Sequence, residues 1–115
     1  MNRRDELAAN LAEVQSRITN PATTLIVVTK TYPVSDVQIL HDLGVRDFGE
    51  NRNEEGLEKS ALVNARWHYQ GEVQSRKLRD ISSWADVIHS LDNASHIAKL
   101  SSVMQSSIDI FLQLS

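Results

Sequence analysis

The sequence predicts an α/β fold built on a parallel sheet. Apolar, β-branched runs alternate with amphipathic helical segments along the 115 residues, and the runs begin near residues 25, 45, 67, 86 and 107. A strand, a helix and two short loops need an interval of about 21 residues, which is the observed spacing. Such alternation with short connections produces right-handed βαβ units. The pattern fits an open doubly wound sheet or the first part of a (β/α)8 barrel.

The N-terminal segment predicts an amphipathic helix over residues 3–18. Its apolar residues recur at steps of four, three and four and share one face, namely Leu7, Leu11, Val14 and Ile18. Pro21 ends this helix, because proline is poorly tolerated in a helix interior. The run "LIVVT" at residues 25–29 then predicts the first strand, with Lys30 directly after it.

The second helix is predicted over "SDVQILHDLG". Ser35 and Gln38 have the spacing of a capping box, and Gly44 is a typical stop. The strand "VRDFGE" follows, and then a more polar helix over "NRNEEGLEKSALV", which Gly56 is expected to weaken.

Three more strands complete the alternation. "WHYQG" and "DVIHSL" flank a short helix over "VQSRKLRDISSW", and "NASHIAKLSSVMQS" predicts a helix with Ile97, Leu100 and Met104 on one stripe. "SIDIFLQLS" then predicts a fifth strand that ends without a turn or a cap. We therefore expect residues 1–115 to be the N-terminal part of a single, longer domain.

Composition narrows the classes of function. The net charge is −3 with basic residues dispersed, which argues against nucleic-acid and membrane partners. No cysteine is present, so the chain has no disulfides and no thiolate metal site. No apolar run approaches the roughly 20 residues of a membrane span, and the N-terminus lacks the apolar core of a signal peptide. These features predict a cytoplasmic protein.

The loop after the first strand separates the two architectures in part. "TKTYPVSD" contains no glycine, which disfavours the dinucleotide-binding type of doubly wound sheet. A complete barrel needs about 200 residues or more, so this chain would supply its first five strands.

Polar residues collect where the predicted strands end. Ligands of parallel α/β folds bind at the carboxyl ends of the strands. Lys30 follows the first strand, "FGEN" ends the second, and the third carries His68 and ends at Gly71. The fold would bring these residues to one face.

Lys30 is the sharpest candidate for chemistry. A lysine at a barrel mouth forms a Schiff base with a carbonyl only as the neutral amine, and desolvation in an apolar interior favours that form. The alternative is a structural lysine that extends to solvent from a strand end.

The other polar residues favour structural roles when taken alone. His68, between Trp67 and Tyr69, is typical of a packed and hydrogen-bonded histidine, and the four histidines show no metal-ligand spacing. The acidic residues Glu54, Glu55 and Glu58 predict a solvated helix face.

Four motifs in register suggest a family. "VVTKTYP", "DFGENRNEE", "WHYQGEVQSRK" and "VIHSLD" occur in this order, and with them the chain resembles the pyridoxal 5′-phosphate homeostasis protein family from about residue 5 to residue 115. The chain departs from the family pattern at Val73, at Arg76 and after Asn51. These departures are expected to alter loop contacts and leave Lys30 unchanged.

The resemblance implies a fold, a cofactor and a site. The fold is the (β/α)8 barrel of the alanine racemase N-terminal domain. Lys30 matches the lysine that holds pyridoxal phosphate as a Schiff base, and Asn51, His68 and Gly71 match residues at the same barrel mouth. Family members have no established catalytic activity and are thought to store or deliver the cofactor. Pyridoxal-phosphate-dependent apo-enzymes are thus candidate partners, and the full-length protein is expected to be a monomer with no metal.

Two enzymatic alternatives share the lysine. An amino-acid racemase would need a second acid/base, and the chain offers only Tyr32 and Tyr69 as tyrosines. A cofactor-free aldolase would share the lysine but not the four motifs. The phosphate of the cofactor usually binds after strands seven and eight of such barrels, so we expect these 115 residues alone to bind it weakly.

Overall fold

The computed structural model describes residues 2–91, 94–103 and 109–112 of the chain. Five strands form one parallel sheet and helices connect them. In chain order the elements are α1 (Arg3–Ser16), β1 (Val27–Val28), α2 (Val34–Asp42), β2 (Asp47–Glu50), α3 (Asn53–Leu62), β3 (Arg66–Tyr69), a 3-10 turn (Ser75–Lys77) running into α4 (Leu78–Trp84), β4 (Val87–Leu91), α5 (Ala94–Val103) and β5 (Asp109–Leu112).

The strand order decides between the two predicted architectures. The strands lie in the order β1-β2-β3-β4-β5, and every described pairing is parallel. A doubly wound sheet reverses its strand order at a switch point, whereas a barrel adds each strand beside the last. Consecutive helices also pack against each other, so they form one layer. The prediction of the first five strands of a (β/α)8 barrel is confirmed.

The core lies between the sheet and its helix layer. The rings of Phe48 on β2 and Trp67 on β3 stack with centroids 5.3 Å apart, and both side chains are fully buried. On α3, Gly56 lies beneath the indole of Trp84, where an added Cβ would come within 2.2 Å of the ring. Gly56 thus permits the close contact of α3 with α4. The predicted weakening of the helix is the cost of this packing.

The helix ends correct one prediction and confirm another. Ser35 does not cap α2, because Pro33 is the N-cap residue, no side chain caps the helix, and Ser35 lies inside it. Proline suits this position since its backbone lacks an N–H. Gly44, with φ of 108°, follows the helix end as predicted.

Helix α1 is shorter and less buried than predicted. It ends at Ser16, so Ile18 lies beyond it, and of the predicted stripe only Leu11 is buried while Val14 is 46% exposed. In α5 Leu100 is buried as predicted, whereas Met104 lies outside the described residues. None of the described helices is long and apolar enough to cross a membrane.

Candidate functional site

Lys30 lies in a tight turn at the carboxyl end of β1. The N–H of Tyr32 donates to the carbonyl of Thr29 at 3.0 Å, which closes the turn around Lys30 and Thr31. Thr29 is buried, whereas Lys30 is exposed. Of the two interpretations that the sequence left open, the described chain shows the lysine that extends to solvent. The strand ends two residues earlier, and Lys30 lies in the exposed turn that follows it.

The residue after Lys30 has an unusual backbone. Thr31 adopts φ of 67°, in the left-handed region. That region costs an L-residue about 1–2 kcal/mol, and a β-branched residue is rarely found there. Such conformations persist only where surrounding contacts impose them, and they cluster at functional sites. The turn that carries Lys30 is held in a strained form.

Helix α3 supplies two of the contacts that hold this turn. The N–H of Thr31 donates to Glu55 Oε1 at 3.1 Å. The ammonium of Lys59 donates to the carbonyl of Thr29 at 2.7 Å, and the exposed fraction of Lys59 is only 4%. Neither residue was predicted from the sequence to contact this turn. Glu55 was assigned to a solvated helix face, and Lys59 was given no role. Glu54 fits that prediction better, because it forms an exposed ion pair with Lys77.

A buried ion pair joins the ends of β1 and β2. Glu50 Oε1 accepts from Lys59 Nζ at 2.7 Å and from the hydroxyl of Thr29. Both charged side chains are almost completely removed from solvent, at 0% and 5% exposure. Within the described part of the chain, the second oxygens of Glu50 and Glu55 are buried without a hydrogen-bond partner. The carboxylate of Glu50 in the "FGEN" motif therefore pairs with a side chain of helix α3.

Asn51 and Gly71 adjoin each other at the same edge. Asn51 follows β2 directly, and Gly71 lies two residues beyond β3. An added Cβ on Gly71 would come within 2.4 Å of the Asn51 carbonyl oxygen, so only glycine fits against this backbone. The register pairs Val28 with Gly49, so the turn that carries Lys30 and the residue Asn51 follow neighbouring strand ends at the same edge. The structure thus brings Lys30, Asn51 and Gly71 to one edge.

His68 lies one layer below that edge, on the opposite sheet face from Glu50. Its Nε2 is 2.8 Å from Asp47 Oδ1 and its Nδ1 is 2.8 Å from His89 Nε2. If His68 is neutral and its Nε2 donates to the carboxylate, Nδ1 must accept the proton of His89. Both ring nitrogens are occupied, as predicted for a buried, hydrogen-bonded histidine. Burial, with lesser effects of His68 and Arg66, lowers the pKa of His89.

Both tyrosines contact other residues of the described chain. Tyr32 is half exposed, and its ring lies under the guanidinium of Arg3, 5.8 Å from the ring centroid. The hydroxyl of Tyr69 donates to the carbonyl of Glu72 at 2.6 Å. Burial raises the pKa of the Tyr69 phenol, and nearby Glu54 and Glu72 raise it further, which favours the protonated form. Among the described residues, no cluster of three or more side chains suits a metal ion.

The fold and the edge residues define a class of protein. The sequential parallel sheet with one helix layer is that of the first part of a (β/α)8 barrel, and the model of the alanine racemase N-terminal domain family matches residues 3–115. The chain belongs to this family. Two curated relatives, each named pyridoxal phosphate homeostasis protein, define the branch. The one from Synechocystis is 37% identical over 74% of this chain and 41% of its own length. The one from Pseudomonas aeruginosa is 37% identical over 83% and 46%.

Solved structures agree with the fold. PipY of Synechococcus elongatus, determined with pyridoxal phosphate bound, matches with a TM-score of 0.78 and 34% identity. The match covers 84% of this chain and 47% of PipY. The chain therefore spans about half the length of the relatives that it matches.

Proposed function

We propose that this protein binds pyridoxal 5′-phosphate as a Schiff base on Lys30 and serves intracellular pyridoxal phosphate homeostasis without catalytic turnover. The observation that carries the proposal is the position of Lys30. The residue is exposed on a strained turn at the carboxyl edge of a barrel-type sheet. Relatives named for pyridoxal phosphate homeostasis and the cofactor-bound PipY support the choice of ligand.

The residues at the edge fit such a cofactor. Lys30 offers the amine that condenses with an aldehyde, with loss of water. Gly71 has no side chain to cover the strand end beside Asn51, and Asn51 is exposed there. Asn51 would then contact the cofactor directly, while His68 would support the floor of the site from below. The bound cofactor would supply an electrophilic carbon and an electron-withdrawing ring.

The phosphate group of the cofactor is the part that we expect these five strands to bind least. Barrels of this type commonly bind phosphate at loops after strands seven and eight. We propose that residues 1–115 form the aldehyde-binding part of a single barrel domain. A polypeptide of these residues alone should therefore bind pyridoxal phosphate more weakly than full-length PipY in the same titration. Equal or tighter affinity would contradict this point.

We propose that the protein binds the cofactor without catalysis, and an amino-acid racemase is the alternative. A two-base racemase needs a second acid/base across the cofactor. The ring of Tyr32 instead contacts Arg3, and the hydroxyl of Tyr69 donates to the backbone carbonyl of Glu72. Both observations favour binding without turnover. Recipient apo-enzymes in the cytoplasm remain the proposed partners.

The test is an optical titration with two lysine variants. Pyridoxal phosphate added to the protein should produce the visible absorbance of a protein-bound imine, and borohydride should bleach it. Lys30→Ala should abolish the signal. Lys99→Ala, which removes an exposed lysine from α5, should keep it. Persistent absorbance in Lys30→Ala would refute the site, and racemisation of alanine by the wild-type protein would favour the enzyme.

A further inference from the structure

The turn that carries Lys30 is fixed largely by one neighbouring helix. Two side chains of α3, one helical turn apart, bind the backbone on either side of Lys30. Lys59 donates to the Thr29 carbonyl at 2.7 Å and Glu55 accepts from the Thr31 N–H at 3.1 Å. The residues before and after the lysine are therefore both anchored to α3.

The same helix couples the turn to the neighbouring strand end. The Lys59 ammonium also contacts Glu50 Oε1 at 2.7 Å, and Glu50 directly precedes Asn51. One buried cation thus links the residue before Lys30 with the residue before Asn51. These two strand ends are followed by Lys30 and Asn51, which lie at the same edge of the sheet.

The Glu55 contact falls on the strained residue. Thr31 adopts φ of 67°, and no glycine is present to make that conformation inexpensive. Without an acceptor for its N–H, Thr31 would relax toward the ordinary regions of backbone space. Relaxation there would rotate the adjoining peptide and displace the Lys30 amine.

We propose that Glu55 and Lys59 are positioning residues for Lys30, setting where its amine meets an aldehyde at the carboxyl edge. The inference rests on the proposed function, since it assigns these residues a role toward the same lysine. Neither residue touches the cofactor in this proposal. They act by holding the backbone on both sides of the reactive side chain.

The experiment measures selective trapping at Lys30 in the full chain. The protein is incubated with pyridoxal phosphate, reduced with borohydride, and the label is mapped to individual lysines. Lys99, exposed on α5, is the internal reference. A displacement of about 1 Å can reduce the rate of an oriented reaction by up to ~100-fold. We expect Glu55→Ala to lower the ratio of Lys30 to Lys99 labelling about tenfold.

Two variants distinguish positioning from general stability. Glu55→Gln keeps a side-chain oxygen that can accept from Thr31 and should restore the ratio. Glu58→Ala, which removes an exposed carboxylate from the same helix, should leave it unchanged. Circular dichroism checks that each variant is folded.

The outcomes separate this inference from the proposed function. Selective labelling of Lys30 in the wild type with an unchanged ratio in folded Glu55→Ala would overturn the positioning role alone. A ratio that falls equally in Glu55→Gln would also contradict it, since the acceptor would then not be what matters. If wild-type Lys30 is labelled no faster than Lys99, the proposed function fails and the positioning role fails with it.

Discussion

Substitution of Lys59 by methionine should destabilise the protein strongly. The change removes two hydrogen bonds of 2.7 Å and leaves the Glu50 carboxylate, which is 0% exposed, without its counter-ion. Removal of one partner from a buried ion pair typically costs about 3–5 kcal/mol, because the remaining charge is desolvated and unpaired. Small proteins are stable by only about 5–15 kcal/mol, so the loss is a large share.

Urea denaturation followed by tryptophan fluorescence measures this loss. Trp67 and Trp84 are both buried against the helix layer, at 2% and 7% exposure, and should report its unfolding. With a urea dependence of about 2 kcal/mol per molar, a loss of about 4 kcal/mol lowers the midpoint by about 2 M.

Two controls establish that the effect comes from the unpaired charge. Lys99→Met removes an exposed lysine and should change stability by less than about 0.5 kcal/mol. Glu50→Leu combined with Lys59→Met replaces the pair by apolar side chains and should recover much of the loss. A midpoint for Lys59→Met within the range of the Lys99 control would refute the buried ion pair.

Three further predictions concern packing and pH. Gly56→Ala should cost about 1–3 kcal/mol in urea denaturation, since its Cβ would displace the Trp84 ring; an unchanged midpoint would contradict the packing. The hydrogen bond from Arg3 lowers the pKa of Asp36, so its stabilisation should be present near neutral pH and fade as pH falls through that lowered pKa. An Arg3→Met variant that loses as much thermal stability in acid as at neutral pH would refute this. Burial lowers the pKa of His89, so the unfolded state takes up more protons and stability should fall as pH drops below the ordinary histidine pKa. His89→Leu should flatten that part of the pH profile, and an unaltered slope would contradict it.

Much of the fold follows from spacing alone. The recurrence of apolar runs predicts parallel strands, and the order β1 to β5 agrees with it. The placement of Lys30 and Asn51 at one edge follows from the same spacing, because parallel strands with similar crossovers end at the same edge.

The side chains that hold the Lys30 turn could not be predicted in the same way. Glu55 and Lys59 have the i, i+4 spacing of an ordinary exposed helical pair, and composition favours that interpretation. They instead contact a turn that lies far away in sequence, at Thr29 and Thr31. The left-handed conformation of Thr31 has no sequence signal either, since threonine seldom adopts it.

The apolar neighbours of Lys30 left both a desolvated and a solvent-exposed lysine open, and the structure shows the exposed one. Strand β1 is short, and the chain turns at Thr29 before the lysine enters the core. The predicted capping box is wrong for a similarly local reason, because Pro33 is the N-cap residue and the helix begins at Val34, before Ser35.

A crystal structure of the protein grown with pyridoxal phosphate would test the central claim most directly. We predict continuous electron density from Lys30 Nζ to the aldehyde carbon of the cofactor, with Asn51 and Gly71 beside the ring. Thr31 should keep its left-handed conformation, with Glu55 still accepting from its N–H. Cofactor density joined to another lysine, or absent from the carboxyl edge at saturating cofactor, would contradict the account.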